Sequence, residues 1–176
     1  MTAARLTSKN GFIIPPAGGI IQIQYTQFTG TNTYSITGDG SWAAITDLAV
    51  NITPVSTSSI IKIEAQVFGE NSANEYNQVF GFLRDSTELT APAAGSRNVA
   101  IAQNLMGFWA EDRSSTANGG HFAYFDSPAS TSQITYKVMV TTTAAATFYL
   151  NRTATDTDSS AYERFVSFIS VTEIAG

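Results

Sequence analysis

From Gly19 onward, apolar and polar residues change places at every second position, in run after run. Ile21, Ile23 and Tyr25 interleave with Gln22, Gln24 and Thr26. Leu48, Val50 and Ile52 interleave with Asp47, Ala49 and Asn51. Ile61, Ile63, Ala65 and Val67 interleave with Lys62, Glu64 and Gln66. Ile134, Tyr136, Val138 and Val140 interleave with Thr135, Lys137, Met139 and Thr141. A period of two puts successive side chains on opposite faces, so each run predicts a strand with its apolar face buried. The segments 41–46, 78–84, 99–110, 121–126, 146–152 and 165–174 are rich in β-branched and aromatic residues and predict further strands. Trp42 falls in one of them and is expected in the core.

Turn signals separate the runs: Gly38-Asp39-Gly40, the segment 53–59, Asn118-Gly119-Gly120 and Ser127-Pro128. Arg84-Asp85-Ser86-Thr87-Glu88 is a short polar turn that closes a hairpin. No long window keeps a helical i, i+3, i+4 pattern with caps. Roughly eight to ten short antiparallel strands must then share one core, as a two-sheet sandwich or a closed barrel. The uneven connections favour an all-β, antiparallel, jelly-roll-like β-sandwich over residues 20–176.

Residues 1–19 stand apart as an extended N-terminal arm. Each proline of Ile13-Ile14-Pro15-Pro16 pushes its predecessor out of the helical region. Ala17-Gly18-Gly19 then reads as a flexible joint. Phe12, Ile13 and Ile14 would be the apolar anchor of an arm ordered by a neighbouring subunit.

The 176 residues fit one such domain, and 43% of them are apolar. Only 13% are charged, about half the usual share, so solubility rests on hydroxyls and amides. Such composition suits surfaces covered by neighbouring subunits. A net charge of −5 disfavours nucleic acid as a partner. Without cysteine there is no disulfide and no thiolate chemistry. The N-terminus lacks the apolar core of a secretory signal, and no apolar run is long enough for a membrane helix. The protein is expected to be made in a cytoplasm and to leave it by another route, such as lysis.

Candidate chemistry is sparse. The lone histidine, His121, reads as a strand-end residue at a sheet edge or interface, and no G-x-S-x-G elbow accompanies it. Glu111-Asp112 and Asp156/Asp158 are the close carboxylate groupings, both in loop-like sequence, so neither a catalytic nor a cofactor site is expected. Asp156 and Asp158 could offer oxygens to calcium, but a Gly at the sixth and a Glu at the twelfth loop position are missing, Ser167 standing at the latter. An Asx-turn loop joining the last two strands, with Arg152 paired to Asp156 or Asp158, is the plainer reading. The Asn-x-Thr triplets at Asn51 and Asn151 look like parts of strands. Trp109, followed by polar residues, is the better surface aromatic.

Three stretches, "FLRDSTELTAPAAGSRNVA" (82–100), "FDSPASTSQITYKVMV" (125–140) and "LNRTATDTDSSAYERFVSFISVTEIAG" (150–176), carry a resemblance in this order. Together with "STSSIIKIEAQV" (56–67) they resemble a β-rich module of tailed-phage virion proteins, seen in predicted tail fibres and small structural proteins of phages of cyanobacteria and marine bacteria. The resemblance implies a jelly-roll-like homotrimer and no enzyme activity. The chain departs from a fibre in having no repetitive stalk before the module, which fits a capsid decoration (cement) protein on the major capsid protein. The alternative is a tail component whose tip recognises a host surface glycan or protein through the loops 71–77, 111–120 and 156–160. In either case the expected location is the virion.

Overall fold

The computed structural model describes residues 7–9, 12–72, 77–103, 115 and 117–176, and before Pro15 only the backbone. Every regular element among them is a strand. In chain order these are β1 (Thr7–Lys9), β2 (Phe12–Ile14), β3 (Ile20–Phe28), β4 (Asn32–Ile36), β5 (Ala43–Ile52), β6 (Ile60–Asn71), β7 (Val79–Arg84), β8 (Thr87–Leu89), β9 (Ala102–Gln103), β10 (Asn118–Asp126), β11 (Ile134–Thr141), β12 (Ala146–Leu150) and β13 (Ser167–Ile174).

Two sheets carry the domain. In the first, β6 has β10 on one edge, while β13 and β12 lie end to end along the other. β3 extends this sheet beyond β13, and β4 extends it beyond β12. In the second, the order is β5, β11, β7, with β8 and β9 end to end on the far edge of β7. If each end-to-end pair counts as one strand, the eight in chain order fall as 1-8-3-6 and 2-7-4-5. Consecutive strands change sheet everywhere except at the β7–β8 hairpin. That is the double Greek key of a jelly roll, as the uneven connections predict.

The alternation is obeyed where the sheets face each other. Ile61, Ile63, Ala65 and Val67 of β6 are buried, as are Ile134, Tyr136, Val138 and Val140 of β11. Phe80 and Phe82 reach across to Phe122, with ring centroids 5.6 and 5.1 Å apart, and Phe80 meets Phe148 edge-on at 5.9 Å. Gly69 makes room for this cluster: a Cβ there would lie 2.5 Å from Cζ of Phe148. The expected strands 41–46 and 48–52 are one strand, β5, broken by a bulge where its register against β11 shifts between Lys137 and Val138. The bulge explains why Ile45 and Leu48, three apart, are both buried.

Several expectations are corrected. On β3 Ile21 is half-buried where the register against β13 shifts, but Ile23 and Tyr25 do not face the core. Tyr25 is 73% and Ile23 55% exposed, while Gln22, Thr26 and Phe28 turn inward and are half-buried. The cause is the neighbouring edge of β5, whose carbonyls have no strand to accept from and take side-chain donors instead. Thr26 Oγ1 donates to Ala49 O (2.7 Å) and Gln22 Nε2 to Thr53 O (2.9 Å). Trp42 is half-buried on the outer side of the second sheet rather than in the core. It covers Met139 at Gly81, where a Cβ would lie 3.5 Å from Trp42 Cη2 and 2.6 Å from Met139 Cε. Asn118-Gly119-Gly120 is not a turn but the start of β10, paired with Gly69, Phe68 and Val67. Of the strand expected over 99–110, only Ala102 and Gln103 pair, and 104–110 lie outside the described residues.

The described residues of the arm include a two-stranded ribbon. Phe12, Ile13 and Ile14 are extended, and they pair with Lys9, Ser8 and Thr7. The Gly18-Gly19 joint is tied to the last strand's exit rather than left free. Gly18 N donates to Ala175 O (2.7 Å), and Ala175 N donates to Gly19 O (2.8 Å).

Candidate interaction surface

The outer face of the first sheet is built by register. Ile23, Thr172, Lys62 and Phe125 form one row across β3, β13, β6 and β10. Tyr25, Ser170, Glu64 and Ala123 form the next. Below the first row, Ile20, Ile174 and Ile60 are aligned. Among the described residues, Tyr25, Ile20, Phe125 and Ile23 are the most exposed large apolar side chains, at 73, 60, 60 and 55%. They stand on the two margins of the face. The middle is polar: Lys62 Nζ pairs with Glu64 Oε1 at 2.8 Å, beside Ser170 and Thr172. Ile20, Ile23 and Tyr25 gather along one margin, and a cluster of exposed apolar side chains with polar neighbours marks an interaction site more often than an accident of folding. The outer face of the second sheet has its equivalent position, Met139, fully buried under Trp42.

The sequence did not single out Ile20, and it placed Ile23 in the core. No charged residue occurs in β3, "IIQIQYTQF", so nothing marked its solvent side. His121 is on this face, on the edge strand β10, exposed and with its ring 6.4 Å from that of Phe168. This is the expected sheet-edge position. Trp109 and Glu111-Asp112 lie outside the described residues.

The opposed carboxylates and hydroxyls elsewhere are engaged in the fold. Asp126 Oδ1 and Oδ2 accept from Arg84 Nη1 at 2.8 and 3.1 Å, and Oδ2 accepts from the Tyr136 hydroxyl at 2.7 Å. Burial, and then the bond to Asp126, hold the Tyr136 phenol well above its usual range. Tyr34 is shifted upward for the same two reasons, its hydroxyl donating to Asp47 Oδ2 at 2.6 Å. An unfolded tyrosine loses its proton near pH 10, whereas folded Tyr136 keeps it beyond that. The stabilisation is therefore full below about pH 10 and is lost as pH rises above it, at up to about 1.4 kcal/mol per unit for each such tyrosine. Melting temperature should fall steeply from about pH 10 upward, and Tyr136→Phe should be less stable at neutral pH but show a shallower alkaline fall. Parallel alkaline slopes in the two proteins would contradict this.

The loop after β12 closes on itself. Arg152 bridges to Arg164, and Phe165 N donates to Asn151 O at 3.1 Å. Arg152 does pair with Asp156 (3.9 Å), stacks on Tyr149 with its guanidinium carbon 4.3 Å from the ring centre, and donates to Thr153 O and Ala154 O, both at 3.0 Å. Arg164 also binds Asp156. Asp156 is thus held by two guanidinium groups, and Asp158 is exposed beside it. Among the described residues, no three His, Asp or Glu side chains gather as metal ligands. Calcium must displace two arginines here, so millimolar calcium should leave the melting temperature unchanged. A rise that Asp158→Asn abolishes would reverse that reading.

Of the loops marked by sequence, 71–77 begins in the sheet, with Asn71 and Ser72 tied to β12 through Phe148 and Thr147. A polar cavity of ≈ 600 Å³ opens beside this loop, lined by Asp39, Asn77, Ser96, Arg97, Asn98 and Thr143 among others.

No protein-family model matches the chain, and no curated protein matches it either.

Proposed function

We propose that this chain is a non-enzymatic structural protein of a tailed-phage virion, a homotrimeric decoration (cement) protein that stabilises the head surface. The observation that carries the reading is the set of large apolar side chains, Ile20, Ile23, Tyr25 and Phe125, left exposed on the outer face of the first sheet. A face of this kind is made to be buried against protein. The low charge and the serine- and threonine-rich surface support the same end. So does the commitment of the carboxylates of Asp126, Asp156 and Glu173 to internal bonds.

The test uses purified particles and isolated heads. Cement function requires copies on the scale of the capsid subunits in gel densitometry, and rebinding of the purified protein to stripped heads. Copurification with tails at low copy number, without head binding, would overturn it. The second reading, a tail tip that recognises a host surface glycan, is favoured by the polar cavity at Arg97, whose amide, hydroxyl and charged lining suits a polyhydroxyl ligand. Low copy number with binding to host envelope polysaccharide would establish it instead.

A further inference from the structure

Ile23 on the β3 margin and Phe125 on the β10 margin lie level with each other on opposite sides of the sheet. We infer that the two margins are the two halves of a single contact between copies of this chain: the β3 margin of one copy packs against the β10 margin of the next, closing a ring of three. The inference rests on the assembly reading above and specifies its interface.

Two copies meeting face to face would serve these residues badly. Tyr25, Ile23 and Phe125, at the edges of the face, would fall on the wet rim. Interfaces are built the other way, with an apolar centre and a polar rim. If the faces instead form the walls of a prism, the margins converge at the corners and the polar strips face the axis. The register then matches size to size. Ile23 lies level with Phe125, and Tyr25 lies level with Ala123, a large ring opposite a small side chain.

The width of the sheet sets the number of walls. Four strands about 4.8 Å apart make a wall about 19 Å wide. In a triangular prism the axis then lies about 5.5 Å from each sheet, close to half of the roughly 10 Å at which sheets pack face to face. Four walls would put the axis about 9.5 Å away, and side chains reaching about 5 Å would leave a void. Head-to-tail contacts that close in this way need no self-complementary patch.

The native chain has no cysteine, so engineered thiols report on this contact alone. Wild type is first sedimented at micromolar concentration. Then Ile23→Cys, Phe125→Cys and the double variant are treated with a short bismaleimide and run on a denaturing gel, with circular dichroism confirming the fold. A sedimenting trimer is expected. The double variant should give a covalent trimer, each single variant only monomer, and a mixture of the two singles a covalent dimer. Tyr25→Lys, an exposed substitution that leaves the fold intact, should sediment as a monomer. Cross-linking by either single variant alone would mean that like margins meet, and would overturn the head-to-tail contact. A trimer in which the double variant does not cross-link would overturn this interface while leaving the assembly reading in place. A wild type that sediments as a monomer would remove both.

Discussion

Asn151→Asp should cost about 4 kcal/mol of stability, a large share of the roughly 5–15 kcal/mol available to a domain. Asn151 is fully buried just after β12, with φ of 60°. Its Nδ2 donates to Phe28 O (2.8 Å) and Gly30 O (2.9 Å), and its Oδ1 accepts from Ser167 Oγ (2.6 Å). Its backbone N donates to Phe68 O at 2.9 Å. One side chain therefore joins the end of β3, the start of β13 and the upper half of β6, at the point where the first sheet passes from its β3–β13 half to its β4–β12 half. Aspartate has nearly the same shape but replaces the double donor with an acceptor. A buried charge would then face two carbonyls, which is worse than an empty site. Asn151→Ala should cost about 3 kcal/mol, since it loses the bonds and also forces a β-carbon other than asparagine's into the left-handed region. Asn151→Gly should be milder than Ala by about 1 kcal/mol, because it loses the bonds but not the conformation. Urea unfolding followed by circular dichroism reads all three. An aspartate variant as stable as the glycine variant would remove the double donor from the account.

The same asparagine shows what the sequence can reveal. The flanks of its loop read correctly as two strands, but Asn151 itself was expected inside the first of them, and the structure places it in a turn just after β12. The Arg152–Asp156 pair was legible, because the two residues are four apart. The donor role of Asn151 was not, because Phe28 and Gly30 are more than a hundred positions away. Arg84, Asp126 and Tyr136 shared this fate: they lie up to 52 positions apart, and only folding brings them into one cluster. The jelly roll itself followed from strand count and unequal connections. The side of β3 that faces water did not. Its alternation is clean, but Ile and Gln are both uncharged, and the choice was made by the unpaired carbonyls of β5, which β3 alone cannot reveal. A shift of one position inverts every side chain of a strand, so this was the step where an error moves a whole surface. It moved Ile23 and Tyr25 from core to solvent, where the proposed interface draws on them.

Glu173→Ala should lower stability by about 4 kcal/mol, and Glu173→Gln by no more than about 2. Glu173 is fully buried on β13, and among the described residues no cation pairs with it. Its charge is held by three donors instead. Oε1 accepts from Ser59 Oγ (2.6 Å) and Val55 N (2.7 Å), and Oε2 accepts from Gln22 Nε2 (2.7 Å). Bonds to a charged acceptor are roughly twice as strong as neutral ones, which lets the carboxylate stay in the interior. They fasten the 53–59 connection and β3 to the last strand, beside the Gly18–Ala175 tie. Alanine strands a buried hydroxyl and a backbone N–H, each costing about 1–3 kcal/mol. Glutamine can still accept from both through its one carbonyl oxygen, and it opposes only Gln22, whose own amide can turn over at the loss of its bond to Thr53 O. The spread between the two variants therefore separates the staple from the bulk of the side chain. In calorimetry the alanine variant should melt well below the glutamine variant. Equal melting points would mean that packing at this site matters and the three bonds do not. Because β3 presents Ile23 and Tyr25 outward only while Gln22 is held inward, the proposed assembly predicts that the alanine variant dissociates at temperatures where its fold persists.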